Sequence, residues 1–131
     1  MPQDIFSGRQ GNEDGRRIAG IIAIYLNIIL AKGSNECTYK GKKTVIKSAK
    51  YSNTNFGITN AMLDRVEQII LAKQAQENEP FHLYLVPADK IKPFGRETRS
   101  KGPAAGKVTD FRVSKAIEFG TNIGSIDVLG S

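Results

Sequence analysis

The stretch Phe81-His82-Leu83-Tyr84-Leu85-Val86 constrains the fold most. Its aromatic and branched side chains suit a pleated backbone. Pro87 stops the run, because proline has no N–H to give to a ladder. A segment this apolar reads as a strand lying centrally in a sheet. Such a strand needs partners and a cover, and the rest of the chain is read for both.

Residues 1–12 are mostly polar, carry Gly8 and Gly11, and read as a loose arm. A helix is expected from Glu13 to Ala31. Asn12 caps it, Glu13 and Asp14 meet the positive end of its dipole, and Lys32-Gly33 ends it. Ile18, Ile21, Ile22, Tyr25, Ile28 and Ile29 recur at helical spacing, and Ile24 and Leu30 widen the apolar face. The helix is therefore expected to be covered on most sides. Its uncharged stretch of fourteen residues, Ile18 to Ala31, falls short of the roughly 20 needed to span a bilayer. Glu13 and Asp14 just upstream also fit a secretory signal poorly.

Two short strands follow, Asn35 to Lys40 and Lys43 to Tyr51, with Lys40-Gly41-Lys42 as a tight turn. Ser52 to Gly57 reads as a polar loop. Thr59 caps a second expected helix from Asn60 to Gln76, on which Met62, Leu63, Val66, Ile69, Ile70 and Lys73 keep an i, i+3, i+4, i+7 rhythm. Glu77-Asn78-Glu79-Pro80 ends it. Gly95 to Lys107 is a basic loop, Phe111 to Phe119 a strand or helix, and Ile123 to Leu129 an edge strand. The expected architecture is one domain over 1–131: an arm (1–12), an α-β-β-α-β core (13–94), the basic loop (95–107) and C-terminal elements (108–131). Its fold class is mixed α/β, a central sheet flanked by helices.

Nineteen basic residues against thirteen acids give a net charge of +6. That balance favours a polyanionic partner. One cysteine, Cys37, excludes an internal disulfide and a multi-thiolate site, and one histidine, His82, argues against a histidine zinc centre. A lone strand histidine is more often structural than catalytic. A cytoplasmic location is the simplest inference from the single thiol.

Two constellations carry chemistry. The first centres on Thr44-Val45-Ile46-Lys47-Ser48-Ala49-Lys50, a β-branched run ending in lysines. Lys47 shares a strand face with Val45. Glu36, on the neighbouring strand, Glu13, and Asp64 or Glu67 of the next helix supply carboxylates. Carboxylates hold a hard cation such as Mg²⁺, and a lysine beside them neutralises charge developing on a phosphate. The same residues also fit solvated charges on an ordinary α/β surface. The second is the basic stretch Lys90 to Lys115, with eight basic residues against Glu97 and Asp110. Arg96, Arg99, Lys101 and Lys107, with Gly102 and Gly106, suit a phosphate backbone, and Lys40, Lys42, Lys43 and Lys50 extend the positive surface. The loop is not a Walker A motif, because Gly102 to Lys107 is one residue short and Val108 follows the lysine. Tyr39 and Tyr51 flank the lysine-rich strand and suit either stacking or packing.

The order helix with Glu13, strand with Val45-Ile46-Lys47-Ser48, helix at 60–76, strand at 81–86 resembles the PD-(D/E)XK nuclease superfamily. That family includes restriction endonucleases and archaeal Holliday-junction resolvases. The resemblance covers 13–86. It implies a restriction-endonuclease-like core and a Mg²⁺-dependent DNA endonuclease, with duplex DNA as partner and a homodimer to cut both strands. Lys47 would be the catalytic lysine. Glu36 would be the main metal ligand, with Asp64 or Glu67 and Glu13 in support. The chain departs from the family pattern in two places. Val45 stands where the family has an acid, and the Pro-Asp pair is absent, so Glu36 would replace its aspartate. Two other functions fit the same residues: a nucleic-acid-binding protein without activity, and an assembly protein whose charge is incidental.

Overall fold

The computed structural model describes residues 3–97 and 107–128, with side chains from Asp14 onward. Helix α1 spans Gln3–Leu26 and strands β1 and β2 span Glu36–Tyr39 and Lys42–Ala49. Strand β3 (Asn55–Thr59) leads into a short helix α2 (Asn60–Arg65). Strands β4 (Gln68–Gln74) and β5 (Phe81–Pro87) follow, then helix α3 (Ala88–Ile91) and a 3-10 turn, Lys92–Phe94. Strands β6 (Arg96–Glu97) and β7 (Val108–Arg112), helix α4 (Val113–Phe119) and strand β8 (Thr121–Ile126) complete the chain.

A five-stranded sheet runs β1-β2-β4-β5-β8 and a three-stranded sheet runs β3-β7-β6. β4 is the middle strand, parallel to β2 and antiparallel to β5. The parallel β2–β4 pair needs a crossover, and β3 with α2 makes it. The mixed sheet flanked by helices is the fold class read from the sequence, with β5 standing beside the centre rather than in it.

The β1–β2 hairpin closes where expected. Tyr39 pairs with Lys42, so Lys40 and Gly41 form the two-residue loop, with φ of 52° and 78°. Both left-handed values match the twist of an antiparallel pair, and glycine meets that demand without strain.

The expected helix from Asn60 to Gln76 divides. Thr59 does cap it, accepting from the Met62 N–H at 3.2 Å, but the chain leaves the helix at Val66, whose backbone is extended. Gln68 to Gln74 is instead the central strand. Ile69, Ile70, Leu71 and Ala72 are all buried, on alternating faces. A strand covered on both faces shows a continuous apolar run instead of alternation, and that run extended the helical spacing begun at Met62.

Helix α1 also differs from expectation. It begins at Gln3, so 3–12 is helical and Asn12 lies inside it. It ends at Leu26 because Asn27 adopts φ 57° and the Ile28 N–H bonds back to the Ala23 carbonyl at 2.9 Å, an asparagine stop before Lys32-Gly33. Its cover is one-sided: Ile18, Ala19, Ile22 and Ala23 are buried, whereas Ile24 is 83% exposed and Ile29, beyond the helix, 90%. Ser52 to Gly57 is loop only as far as Thr54, since β3 starts at Asn55. Among the described residues no helix is long and apolar enough to cross a membrane.

The five-stranded sheet separates two apolar layers. One holds α1 against Ile46, Ile70, Ala72 and Leu83. The other holds the second sheet and the short helices against Val45, Ala49, Ile69, Leu71 and Val86.

Candidate functional site

Lys47 lies on the second of these faces, between Val45 and Ala49, with Leu71 of β4 beside it. Burial alone pulls its pKa below the usual lysine value. No carboxylate contributes to that shift, and among the described residues the ammonium has no ion pair or hydrogen-bond partner. A desolvated, unpaired lysine is costly to maintain and marks a place where charge is wanted.

Glu36 sits opposite Val45 in the β1–β2 register, so it shares that face. Its carboxylate is already taken. Arg65, at the end of α2, donates from Nε to Oε1 at 2.8 Å and from Nη2 to Oε2 at 2.9 Å. The Ser34 hydroxyl donates to Oε2 at 3.1 Å. The Arg65 bonds, above all, hold Glu36 below the usual carboxylate range. This fork is the strong bidentate form of an ion pair.

Asp64 is exposed on α2. Glu67, expected on a helix, stands in the connection before β4, where its carboxylate accepts the Lys43 N–H at 3.0 Å. Lys43 and Lys47 are four residues apart on β2, roughly 13 Å along the strand. Glu67 therefore marks the turn end of β2, away from Lys47. The Glu13 side chain lies outside the described residues.

Mg²⁺ requires several oxygen ligands converging on one point. Among the described residues no three Asp, Glu, His or Cys side chains converge to hold a metal. Glu36, Asp64 and Glu67 do not fit the ion as they stand, because Arg65 and the Lys43 N–H occupy two of the three.

A second cluster forms at the other end of β2. Lys50 donates to Asp14 of α1 at 2.8 Å, and that bond keeps the Asp14 carboxyl below its usual range. Lys50 and Tyr51 line a cleft of about 210 Å³ with Arg17, Gln74, Glu77 and Asp127. The acid of the first helix thus meets a strand-end lysine, but the pair is Asp14 and Lys50. Nothing local in the sequence joins two residues 36 positions apart.

The remaining cations are spread out. Lys40, Lys42 and Lys43 are exposed at the hairpin turn, with Lys40 stacked over Tyr39 at 5.5 Å. Lys50 is seven residues from Lys43, roughly 23 Å along the strand. Lys107 is exposed, and its carbonyl accepts the Asn60 N–H at 2.8 Å. Arg99 and Lys101 lie outside the described residues. Arg96 opens on a groove of about 980 Å³ lined also by Asn55, Phe94, Glu97, Asp110, Phe111, Arg112 and Lys115. Of these, Arg112 and Lys115 counted in the sequence only as charges of the basic stretch and Phe94 carried no signal; three separate elements bring them together.

No family model matches the sequence. No curated protein matches it either. The fold is similar to that of a Holliday junction resolvase. This is Hjc from Archaeoglobus fulgidus, superposing with a TM-score of 0.51 over 84% of this chain and 92% of that chain. Sequence identity is 11%, so the likeness shows the fold alone.

Proposed function

We propose that this chain acts on duplex DNA as an endonuclease, hydrolysing phosphodiester bonds. The observation that carries the reading is Lys47, a half-buried lysine on the central sheet with no counter-ion among the described residues. The fold likeness to Hjc, itself a Holliday junction resolvase, supports it. In this reading Lys47 offers its unspent charge to the phosphate as negative charge develops there. The lysines of the β1–β2 turn and Arg96 hold the backbone. Cutting both strands calls for a homodimer.

Supercoiled plasmid incubated with the full chain, with and without Mg²⁺, tests the reading. Nicked and linear products are expected only with Lys47 intact. Cleavage that survives Lys47→Met removes Lys47 from the chemistry, and loss of cleavage in EDTA shows that a metal enters through groups other than Glu36, Asp64 and Glu67 as they stand.

A second reading, nucleic-acid binding without hydrolysis, draws on the state of Glu36. With its carboxylate forked onto Arg65, the chain holds DNA through its cations and cuts nothing. This reading expects salt-sensitive affinity and no product with any divalent ion.

A further inference from the structure

The groove over the three-stranded sheet has a chemistry of its own. On β7 Phe111 is buried, so Asp110 and Arg112 take the outer face. The register puts Arg96 of β6 opposite Asp110 and Asn55 of β3 opposite Arg112, so four polar residues share that face. Phe94 stands at its edge, 46% exposed. Lys115 of α4 reaches the same ring, its ammonium 4.7 Å from the centroid. Phe119 backs it at 5.4 Å between centroids. Among the described residues the Arg96 and Arg112 side chains enter no ion pair.

An exposed aromatic ring beside free guanidinium groups suits a nucleotide: the ring stacks a base and the cations hold its phosphates. A paired duplex keeps its bases stacked inside and cannot use Phe94. Asn55, Asp110 and Glu97 offer polar groups to a base edge, and the two acids turn phosphate toward the arginines.

We infer that this groove binds an unpaired nucleotide of a single-stranded DNA segment, its base on Phe94 and its phosphates on Arg96 and Arg112. The inference rests on the reading of the chain as DNA-acting and narrows the substrate to duplexes that carry an unpaired stretch.

The test uses the full chain in EDTA with two DNAs, a blunt duplex and the same duplex with a 2-aminopurine-labelled overhang. Binding is expected to quench the 2-aminopurine. Phe94→Leu, which keeps an apolar side chain without the ring, should abolish the quench. It should weaken overhang binding about 5- to 100-fold and leave blunt-duplex binding unchanged. Arg112→Gln should lower the salt slope of overhang binding by about 1. Absence of a quench, or equal weakening on both DNAs with Phe94→Leu, overturns the inference. The quench reads binding and not product, so this outcome separates from hydrolysis. Quenching with neither the plasmid nor the overhang duplex cut rejects the nuclease reading alone, and cleavage without quenching rejects the groove alone.

Discussion

Lys47 sets two properties of the chain against each other. Its pKa in the fold is depressed by burial and by nothing else. Below that folded pKa the lysine is charged in both states, and the full desolvation cost falls on the native one. As pH rises from the folded value toward the unfolded one near ~10.4, the native lysine loses its proton first and the cost declines. Lys47→Met should therefore stabilise the protein by about 1 kcal/mol at neutral pH in urea denaturation. The gain should shrink in alkali while plasmid cleavage is lost. A variant less stable than the parent would mean that the ammonium has a partner in solution. Glu36 and Asp14 work in the opposite sense. Arg65 and Lys50 depress their pKa values, so each contributes stability that is present above the ordinary carboxylate range and is lost as pH falls through the folded value. Glu36→Gln should flatten the acid limb of a Tm–pH curve, by a small amount because the pair faces solvent. An unchanged limb would show the fork to be absent in solution. The sequence offered Glu36 and Lys47 as neighbours, and they do share a sheet face. It offered no sign of Arg65, whose claim on Glu36 depends on where α2 happens to end.

The hairpin and the central strand show why some elements were legible and others were not. Lys40-Gly41 sits between two short β-rich runs, and a two-residue loop has few conformations available, so the turn was readable from local chemistry alone. β4 was not. Its side chains Ile69, Ile70, Leu71 and Ala72 are covered on both faces, so neither a helical nor a strand period stands out, and the break at Val66 carries no glycine or proline. Only its neighbours in the sheet decide it. That position makes β4 the element whose loss should be felt most. Leu71→Ala removes a fully buried side chain between β2 and β5 and should cost about 3 kcal/mol in chemical denaturation. In native-state hydrogen exchange the amides of Ile69 to Ala72 should be the slowest in the chain, opening only with global unfolding. Fast exchange there would return this segment to the solvent-facing helix that its spacing imitates.

At the scale of the molecule the question is what joins the lysine-bearing sheet to the groove. The chain between β2 and β3 passes from Lys50 and Tyr51, which line the smaller cleft, to Asn55, which lines the groove. Lys73 of β4 pins it. Its ammonium donates to the carbonyls of Lys50 at 2.9 Å, Tyr51 at 3.4 Å and Asn53 at 2.7 Å. The next carbonyl, of Thr54, accepts the Val113 N–H at 2.9 Å, so the same segment also fixes the start of α4, the helix that brings Lys115 to Phe94. One cation on the central strand therefore holds a short bridge whose two ends belong to different sites. Lys73→Met removes the donor while leaving the buried stem, and the freed carbonyls are near enough to solvent to recover water. The loss should be about 1–2 kcal/mol, smaller than for Leu71→Ala. The loss should also be local. Amide exchange in 50–55 should speed up while Ile69 to Ala72 stay protected, and overhang binding should weaken together with the Asp14–Lys50 contact, read as a rise in the Asp14 pKa by NMR. If Lys73→Met lowers protection throughout the sheet and leaves the Asp14 pKa in place, the lysine is a general support and the two sites are independent.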